Sequence, residues 1–210
     1  MMQKAVIVDF DGTLVKINSF EKFFKQLFKY WIMNLKIGYS LYLLFLILIR
    51  KMKLIEHAEL KKRTLQYVQN KDIKIFIEQY SKKLISDVNA NVVEIIQNYR
   101  NEGYAIHLCT AAPKLYIEKF TSYFSFKFDE IVCTDSPTEE MDWKENLGEH
   151  KLYSTNILLH KRSEKLMVLL TDSYDDIPLL KIHKLKNIIV NPSEKTIKLL
   201  KKENIPFELI

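Results

Sequence analysis

The sequence predicts an α/β fold: a parallel sheet covered by helices on both faces and interrupted early by an all-helical insert. Three observations predict it. From residue 86 onward, short apolar runs alternate with amphipathic stretches, the pattern of strands joined by helical crossovers. A further apolar run, Ala5-Val6-Ile7-Val8, stands near the N-terminus and reads as a buried strand. Between them, from about Lys16 to Ile85, the spacing is helical and no convincing strand occurs.

The elements follow in order. The first strand runs from Ala5 to Asp9. Within the helical stretch, Ile73, Phe76, Ile77, Tyr80 and Leu84 recur at the interval that lines one helix face. Val92 to Arg100 reads as an amphipathic helix ending near Gly103, a C-cap residue. Tyr104 to Cys109 is a strand. Pro113 opens a helix in its first turn, running to about Phe124. Phe128 to Cys133 is a strand and Leu152 to Lys161 a helix. Leu166 to Leu170 and Asn187 to Val190 are strands separated by a helical turn, and Ser193 caps a last helix. The α/β core is therefore discontinuous, residues 1–15 and 86–210, with the insert at 16–85.

Composition narrows the class. A chain of 210 residues, 48% hydrophobic with only 4 Gly, has material for one sizeable core and is neither disordered nor low-complexity. Its 2 Cys, Cys109 and Cys133, each end an apolar run and read as buried thiols. No Cys-x-x-Cys pair occurs and the 5 His are scattered, which argues against zinc. The N-terminus enters a strand within a few residues, so no secretory signal is expected and the cytoplasm is the default location. The formal charge of +6 comes from lysines spread over the whole length, the pattern of a solvated surface and not of a nucleic-acid patch.

The chemistry begins at Asp9-Phe10-Asp11-Gly12-Thr13. Two carboxylates sit where the first strand opens into a loop, on the sheet edge where ligands bind in open α/β folds. Two acids at alternate positions can divide the work of nucleophile and proton donor. A calcium loop of the EF-hand type also begins this way, but it requires Gly at its sixth position and Glu at its twelfth. Here those positions hold Leu14 and Phe20.

Other strand ends supply partners. The Tyr104 strand leads into Cys109-Thr110-Ala111-Ala112-Pro113, a hydroxyl and small residues before a helix N-terminus, which suits a phosphate. The Leu166 strand leads into Thr171-Asp172-Ser173-Tyr174-Asp175-Asp176. Asp172, Asp175 and Asp176, together with Asp9 and Asp11, would repel one another unless a divalent cation joined them, and an oxygen-only set suits Mg²⁺. Lys151, in Leu147-Gly148-Glu149-His150-Lys151, could pair with a nucleophile and with phosphate oxygens.

In this order, Asp9-Phe10-Asp11-Gly12-Thr13-Leu14, Thr110, Lys151 and Asp172-Ser173-x-x-Asp176 resemble the four motifs of the haloacid dehalogenase-like superfamily. The helical segment after the first motif resembles that superfamily's first-type cap. Gly148-x-x-Lys151 and the Asp-Ser-x-x-Asp-x-Pro-Leu-Leu string look like its phosphoserine-phosphatase-like branch, subfamily IB. Thr171 stands where the family often has Gly, and Asp175 where the branch often has Asn.

The resemblance implies a Rossmann-like three-layer core and phosphoryl transfer through an aspartyl-phosphate. Asp9 would be the nucleophile and Asp11 the acid and base. Gly12, Thr13, Thr110 and Ala111 would contact the phosphate, and Lys151 would neutralise the intermediate. Mg²⁺ would be held by Asp9, the Asp11 carbonyl and Asp172, with Ser173, Asp175 and Asp176 in support. The expected activity is hydrolysis of a small phosphorylated metabolite.

One segment invites a second reading. From Ile37 to Ile49 the chain carries no charge, with Lys29 before it and Arg50, Lys51 and Lys53 after it. At this length it is borderline for a span, and basic flanks suit a helix at an anionic membrane surface. Burial between cap and core, and a cap meeting an anionic membrane or lipid through residues 31–53 at the inner membrane face, are both open. A membrane-associated branch of the superfamily, acting on phosphatidylglycerophosphate, is similar in this greasy run and in the motif endings. A phosphotransferase, or a binding module without catalysis, are the remaining alternatives; the sequence does not fix the oligomeric state.

Overall fold

The computed structural model describes residues 2–138, 142–182 and 185–210. Among these, six strands form one sheet: β1 (Gln3–Val8), β2 (Ala105–Pro113), β3 (Glu130–Thr134), β4 (Glu164–Thr171), β5 (Lys186–Ile189) and β6 (Glu208–Leu209). All pairings are parallel and the order is β3-β2-β1-β4-β5-β6. The chain winds one way from β1 to β3 and then returns to the other side of β1. The switch point, where ligands bind in such sheets, therefore lies at the C-terminal ends of β1 and β4.

Side-chain alternation decides the two faces. Val6, Val8, Ile106, Leu108, Val168, Leu170 and Ile188 point to one side, where α5 (Ala90–Asn101) and α6 (Lys114–Tyr123) contribute Val92, Ile96, Tyr116 and Phe120. Ile7, Cys109, Leu169 and Ile189 point to the other. There they meet Leu158 and Leu159 of α7 (Gly148–Arg162), Leu179 and Leu180 of α8 (Ile177–Leu180), and Leu200 of α9 (Glu194–Lys202). The pairing of β1 with β4 slips by one residue between Ala5 and Val6, which brings Leu166 onto the face of Ala5.

The helical insert consists of α1 (Ser19–Met33), α2 (Ile37–Lys51), α3 (His57–Gln69) and α4 (Lys74–Leu84), followed by a 3₁₀ turn at Ile85–Asp87. Phe23, Leu27, Trp31, Leu43, Leu46, Phe76 and Tyr80 join the same buried cluster as the β1 and β2 residues, so the insert and one sheet face share a continuous core. Its two ends are tied together: Lys16 N–H donates to the Asp87 carbonyl at 2.9 Å, and Asn89 N–H to the Leu14 carbonyl at 2.8 Å.

Several boundaries differ from those read in the sequence. β1 stops at Val8, leaving Asp9 as the first residue of the loop, although its N–H still donates to the Leu170 carbonyl at 2.9 Å. β2 continues to Pro113, and its pairing with β3 shifts between Cys109 and Pro113. Pro113 is the extended residue preceding α6, not a member of its first turn. α7 starts four residues before Leu152, because Gly148 enters it at φ +56 while the apolar periodicity begins only further along. β6 is two exposed residues and carries no sequence signal.

The uncharged stretch lies within α2. One face buries Ser40, Leu43 and Leu46, and the opposite face leaves Leu41, Phe45 and Leu48 exposed. No helix among the described residues is long and apolar enough to cross a membrane.

Candidate active site

The loop after β1 is fixed by its own backbone. Leu14 N–H donates to the Asp9 carbonyl, and Thr13 and Val15 N–H groups donate to the Phe10 carbonyl. Phe10 is buried, with its ring edge-on to Phe120 at 4.9 Å. This anchors the loop inside the core, so that Asp9 and Asp11 on either side of Phe10 are both presented to the cleft. Gly12 closes the turn at φ +68, and a Cβ built there would lie 2.1 Å from Asp172 Oδ2. Any larger residue would collide with that carboxylate and would also occupy a left-handed backbone.

Lys151, on the first turn of α7, is 1% exposed and is the site's central cation. Its Nζ donates to Asp9 Oδ1 and to Asp176 Oδ2, both at 2.8 Å. Asp176 Oδ2 also accepts from the Thr171 hydroxyl at 2.7 Å. Thr171, at the position where the family often has Gly, thus fixes the carboxylate that fixes the lysine. Burial opposes the Lys151 charge, but Asp176 and Asp9 outweigh it and raise its pKa above the ordinary lysine value. Burial pushes the Asp9 carboxyl up to about 7; Lys151 opposes that rise, while Asp176 and Asp172 add to it. Burial likewise raises Asp172 to about 6, with Asp176 and Asp11 adding to the shift.

Asp11 is held by the insert. Ser19, the first residue of α1, donates its N–H to Asp11 Oδ1 at 2.8 Å. Ser19 is itself clamped: Tyr80 O–H donates to its carbonyl at 2.5 Å, and its hydroxyl meets that of Tyr116 at 2.8 Å. Burial raises the Asp11 pKa and the Ser19 hydrogen bonds work against it. The net direction favours the protonated acid, the form a proton donor needs.

At the end of β2, the irregular pairing turns the chain so that Thr110 and Ala111 line the cleft. Thr110 Oγ1 accepts from Ala112 N–H at 3.0 Å, and its carbonyl accepts from Asn146 Nδ2 at 3.1 Å. Ser173 and Asp175 also line the cleft, where the Ser173 hydroxyl accepts from Asp175 N–H at 3.1 Å and shapes the turn into α8. Thr13 is the exception among the expected site residues. It is fully buried, its hydroxyl has no partner and it does not line the cleft, because the turn at Gly12 directs it inward.

Residues not singled out in the sequence complete the site. Lys61 of α3 is buried, lies over the Phe20 ring, and donates to Glu145 Oε2 at 3.0 Å and to the Ala111 carbonyl at 3.4 Å. The insert is thereby pinned to the core beside Thr110. The one available signal was helical spacing: Lys61 shares the inward stripe of Thr64, Leu65 and Val68. His57, one turn before it, also lines the cleft. Asn146 ties Thr110 to the β3 end, where its N–H donates to Thr134 Oγ1 at 3.0 Å.

The cleft has a volume of about 530 Å³ and is lined by six carboxylates against three lysines. An anionic substrate would be repelled by that balance without a further cation. The available donors fit a hard divalent ion: Asp9 and Asp172 offer oxygens, burial pushes both carboxylates toward neutrality, and Asp176 Oδ1 is buried without a partner among the described residues. No three His, Cys, Asp or Glu side chains among the described residues converge on one point. An ion here would rest on few protein ligands plus water, as Mg²⁺ does.

Comparison with known proteins agrees with this architecture. A protein of unknown function from Bordetella pertussis Tohama I shares the fold at TM-score 0.77 and 15% identity, over 100% of this chain and 99% of that one. A phosphoserine phosphohydrolase-like protein from Francisella tularensis subsp. tularensis SCHU S4 aligns at TM-score 0.60 and 18% identity, over 94% and 92%. A phosphoserine phosphatase, as a phospho-aspartyl intermediate analogue, aligns at TM-score 0.57 and 15% identity, over 100% and 94%. No curated protein matches the chain. The family model described as haloacid dehalogenase-like hydrolase matches residues 6–181, most of the chain, including every loop that lines the cleft except that of Asn191. The chain belongs to the haloacid dehalogenase-like hydrolases.

Proposed function

We propose that the protein is a Mg²⁺-dependent phosphomonoesterase acting through an aspartyl-phosphate on a small phosphorylated metabolite. The observation that carries this reading is the buried Lys151 bridging Asp9 and Asp176 at 2.8 Å each, in the cleft that Thr110 and Ala111 also line. One cation thereby holds the nucleophile and remains next to the place a phosphate must occupy.

In the first half-reaction a carboxylate oxygen of Asp9 attacks phosphorus, the bond to the substrate oxygen breaks, and Asp11 gives its proton to that leaving oxygen. Ser19 N–H keeps Asp11 turned toward the cleft. In the second, Asp11 takes a proton from water, the water oxygen attacks phosphorus, and the Asp9–phosphorus bond breaks. The Thr110 hydroxyl and the Ala111 N–H bind the non-bridging oxygens, and Lys151 offsets the charge on Asp9 throughout. Mg²⁺ would be held by Asp9, Asp172 and the Asp11 carbonyl, where it offsets charge between carboxylate and phosphate. Residues 16–85 would act as the lid that selects the substrate, joined to the core at the Lys16–Asp87 and Leu14–Asn89 bonds. A phosphotransferase would share the first half-reaction and differ in its acceptor.

The test is turnover of p-nitrophenyl phosphate with Mg²⁺ and with a chelator. Mg²⁺-dependent release is expected, and Asp11→Asn is expected to reduce it about 10²–10⁴-fold, the usual worth of a positioned proton donor. Equal turnover in the chelator would overturn the metal assignment.

A further inference from the structure

The outer face of α2 serves no purpose in the proposed reaction. Ile37, Leu41, Phe45 and Leu48 lie within one helical face and are 58, 58, 52 and 50% exposed. Beyond the helix ends the same character continues, with Leu35 before it and Met52 and Leu54 after it all exposed. Contiguous apolar surface of this kind marks an interaction site on a soluble domain. The inner face explains why α2 cannot turn over to hide it. Leu43 and Leu46 are fully buried, and Tyr39 and Tyr42 pack on Tyr67 of α3 with ring centres 5.9 and 4.0 Å apart. Trp31 of α1 closes that aromatic group.

Along the chain from Lys22 to Lys53 the charge has one sign. Between Glu21 and Glu56 the chain contains no Asp or Glu and seven Lys or Arg: Lys22, Lys25, Lys29, Lys36, Arg50, Lys51 and Lys53. Lys22 pairs with Asp87 and Lys25 with Glu21. Among the described residues, the other five have no carboxylate within ion-pair distance. Lys36 and Lys51 bracket the exposed stripe, one at each end of the helix. An apolar stripe bordered by unpaired cations fits a surface that offers anionic groups above hydrocarbon. A second copy of the same face would bring like charges together.

We infer that the α1–α2 hairpin docks the protein peripherally on an anionic lipid bilayer, with Leu41, Phe45 and Leu48 entering the interface and Lys36, Lys51 and Lys53 meeting lipid phosphates. This goes beyond the catalytic reading and does not depend on it, since it concerns the outer surface of the insert and not the cleft.

Co-sedimentation with vesicles of phosphatidylcholine alone, or of phosphatidylcholine with phosphatidylserine in equal amounts, tests it on the full chain. The protein should pellet with the mixed vesicles and not with phosphatidylcholine alone. Leu41→Glu/Phe45→Glu/Leu48→Glu should abolish pelleting while p-nitrophenyl phosphate turnover and circular dichroism stay at the wild-type level. Lys36→Glu/Lys51→Glu/Lys53→Glu, which leaves the apolar stripe intact, should weaken binding about tenfold or more. A wild-type protein that stays in the supernatant with both vesicles would overturn the proposal. So would a triple Glu variant that still pellets while converting a wild-type dimer to monomer in analytical ultracentrifugation, which would assign the face to a second copy.

Discussion

Gly12 and Asp172 come together so closely that a Cβ on residue 12 would lie 2.1 Å from Asp172 Oδ2. The β1 loop and the β4 loop are thus shaped to each other, and the hydrogen atom of a glycine is the spacer. Gly12→Ala must move Asp172 and also forces a methyl side chain into φ +68. The backbone penalty alone is roughly 1–2 kcal/mol. The expected result is a lower melting temperature and a higher Mg²⁺ concentration for half-maximal turnover, read from thermal melts and a Mg²⁺ titration of activity.

Among the described residues, Lys151 is the one lysine that bridges Asp9 and Asp176. Lys151→Met leaves two buried carboxylates facing each other without a counter-charge. Breaking a buried pair in this way costs about 3–5 kcal/mol. The loss should be greatest at alkaline pH and smaller near pH 5, where the carboxyls can take up a proton. Chemical denaturation of both proteins at the two pH values checks the sign as well as the size.

The raised carboxyls give the metal-free protein a defined pH response. Asp9 and Asp172 are held near 7 and 6 in the fold, against 3.8 for the ordinary Asp. The folded state therefore binds more protons than the unfolded one between about pH 4 and 7, and stability falls as pH rises through that window. A divalent cation competes with those protons. Mg²⁺ should thus raise the melting temperature more at pH 8 than at pH 5.5, measured with and without chelator.

Lys61 and Glu145 form a second buried pair through Glu145 Oε2, and Glu145 Oε1 has no partner among the described residues. Lys61→Met leaves the Glu145 carboxyl without its cation, whereas Lys61→Met/Glu145→Leu removes both members of the pair. The double variant should be more stable than Lys61→Met by about 1–4 kcal/mol. If the insert selects the substrate, both variants should also raise KM for phosphomonoesters, because the contact beside Ala111 is gone in each.

The sequence made the frame of this site legible because strand ends carry chemistry in short runs. Asp9, Asp11, Asp172 and Asp176 each lie within a few residues of an apolar run that could be nothing but a strand or a short buried helix. The periodicity of α4 and α5 fixed their positions for the same reason, and the Ser193 cap marked the start of α9. What stayed hidden was long-range. Lys61 and Glu145 meet across 84 positions of chain, and no local pattern encodes such a pairing. Thr171 read as a departure until its hydroxyl was found on Asp176. The resemblance implies a phosphate contact for Thr13, and a motif match does not say which way a turn at positive φ directs the next side chain. The uncharged run at 37–49 was ambiguous because both faces of α2 are apolar and only packing decides which one is covered.

The central claim is that Asp9 carries the phosphoryl group during turnover. Mass spectrometry of peptides from protein quenched in acid during steady-state hydrolysis of p-nitrophenyl phosphate tests it most directly. The expected result is a phosphoryl group on the peptide containing Asp9, absent from Asp9→Asn, which should also have lost turnover while keeping its fold. An unmodified Asp9 peptide during active turnover, or hydrolysis retained by Asp9→Asn, would contradict it.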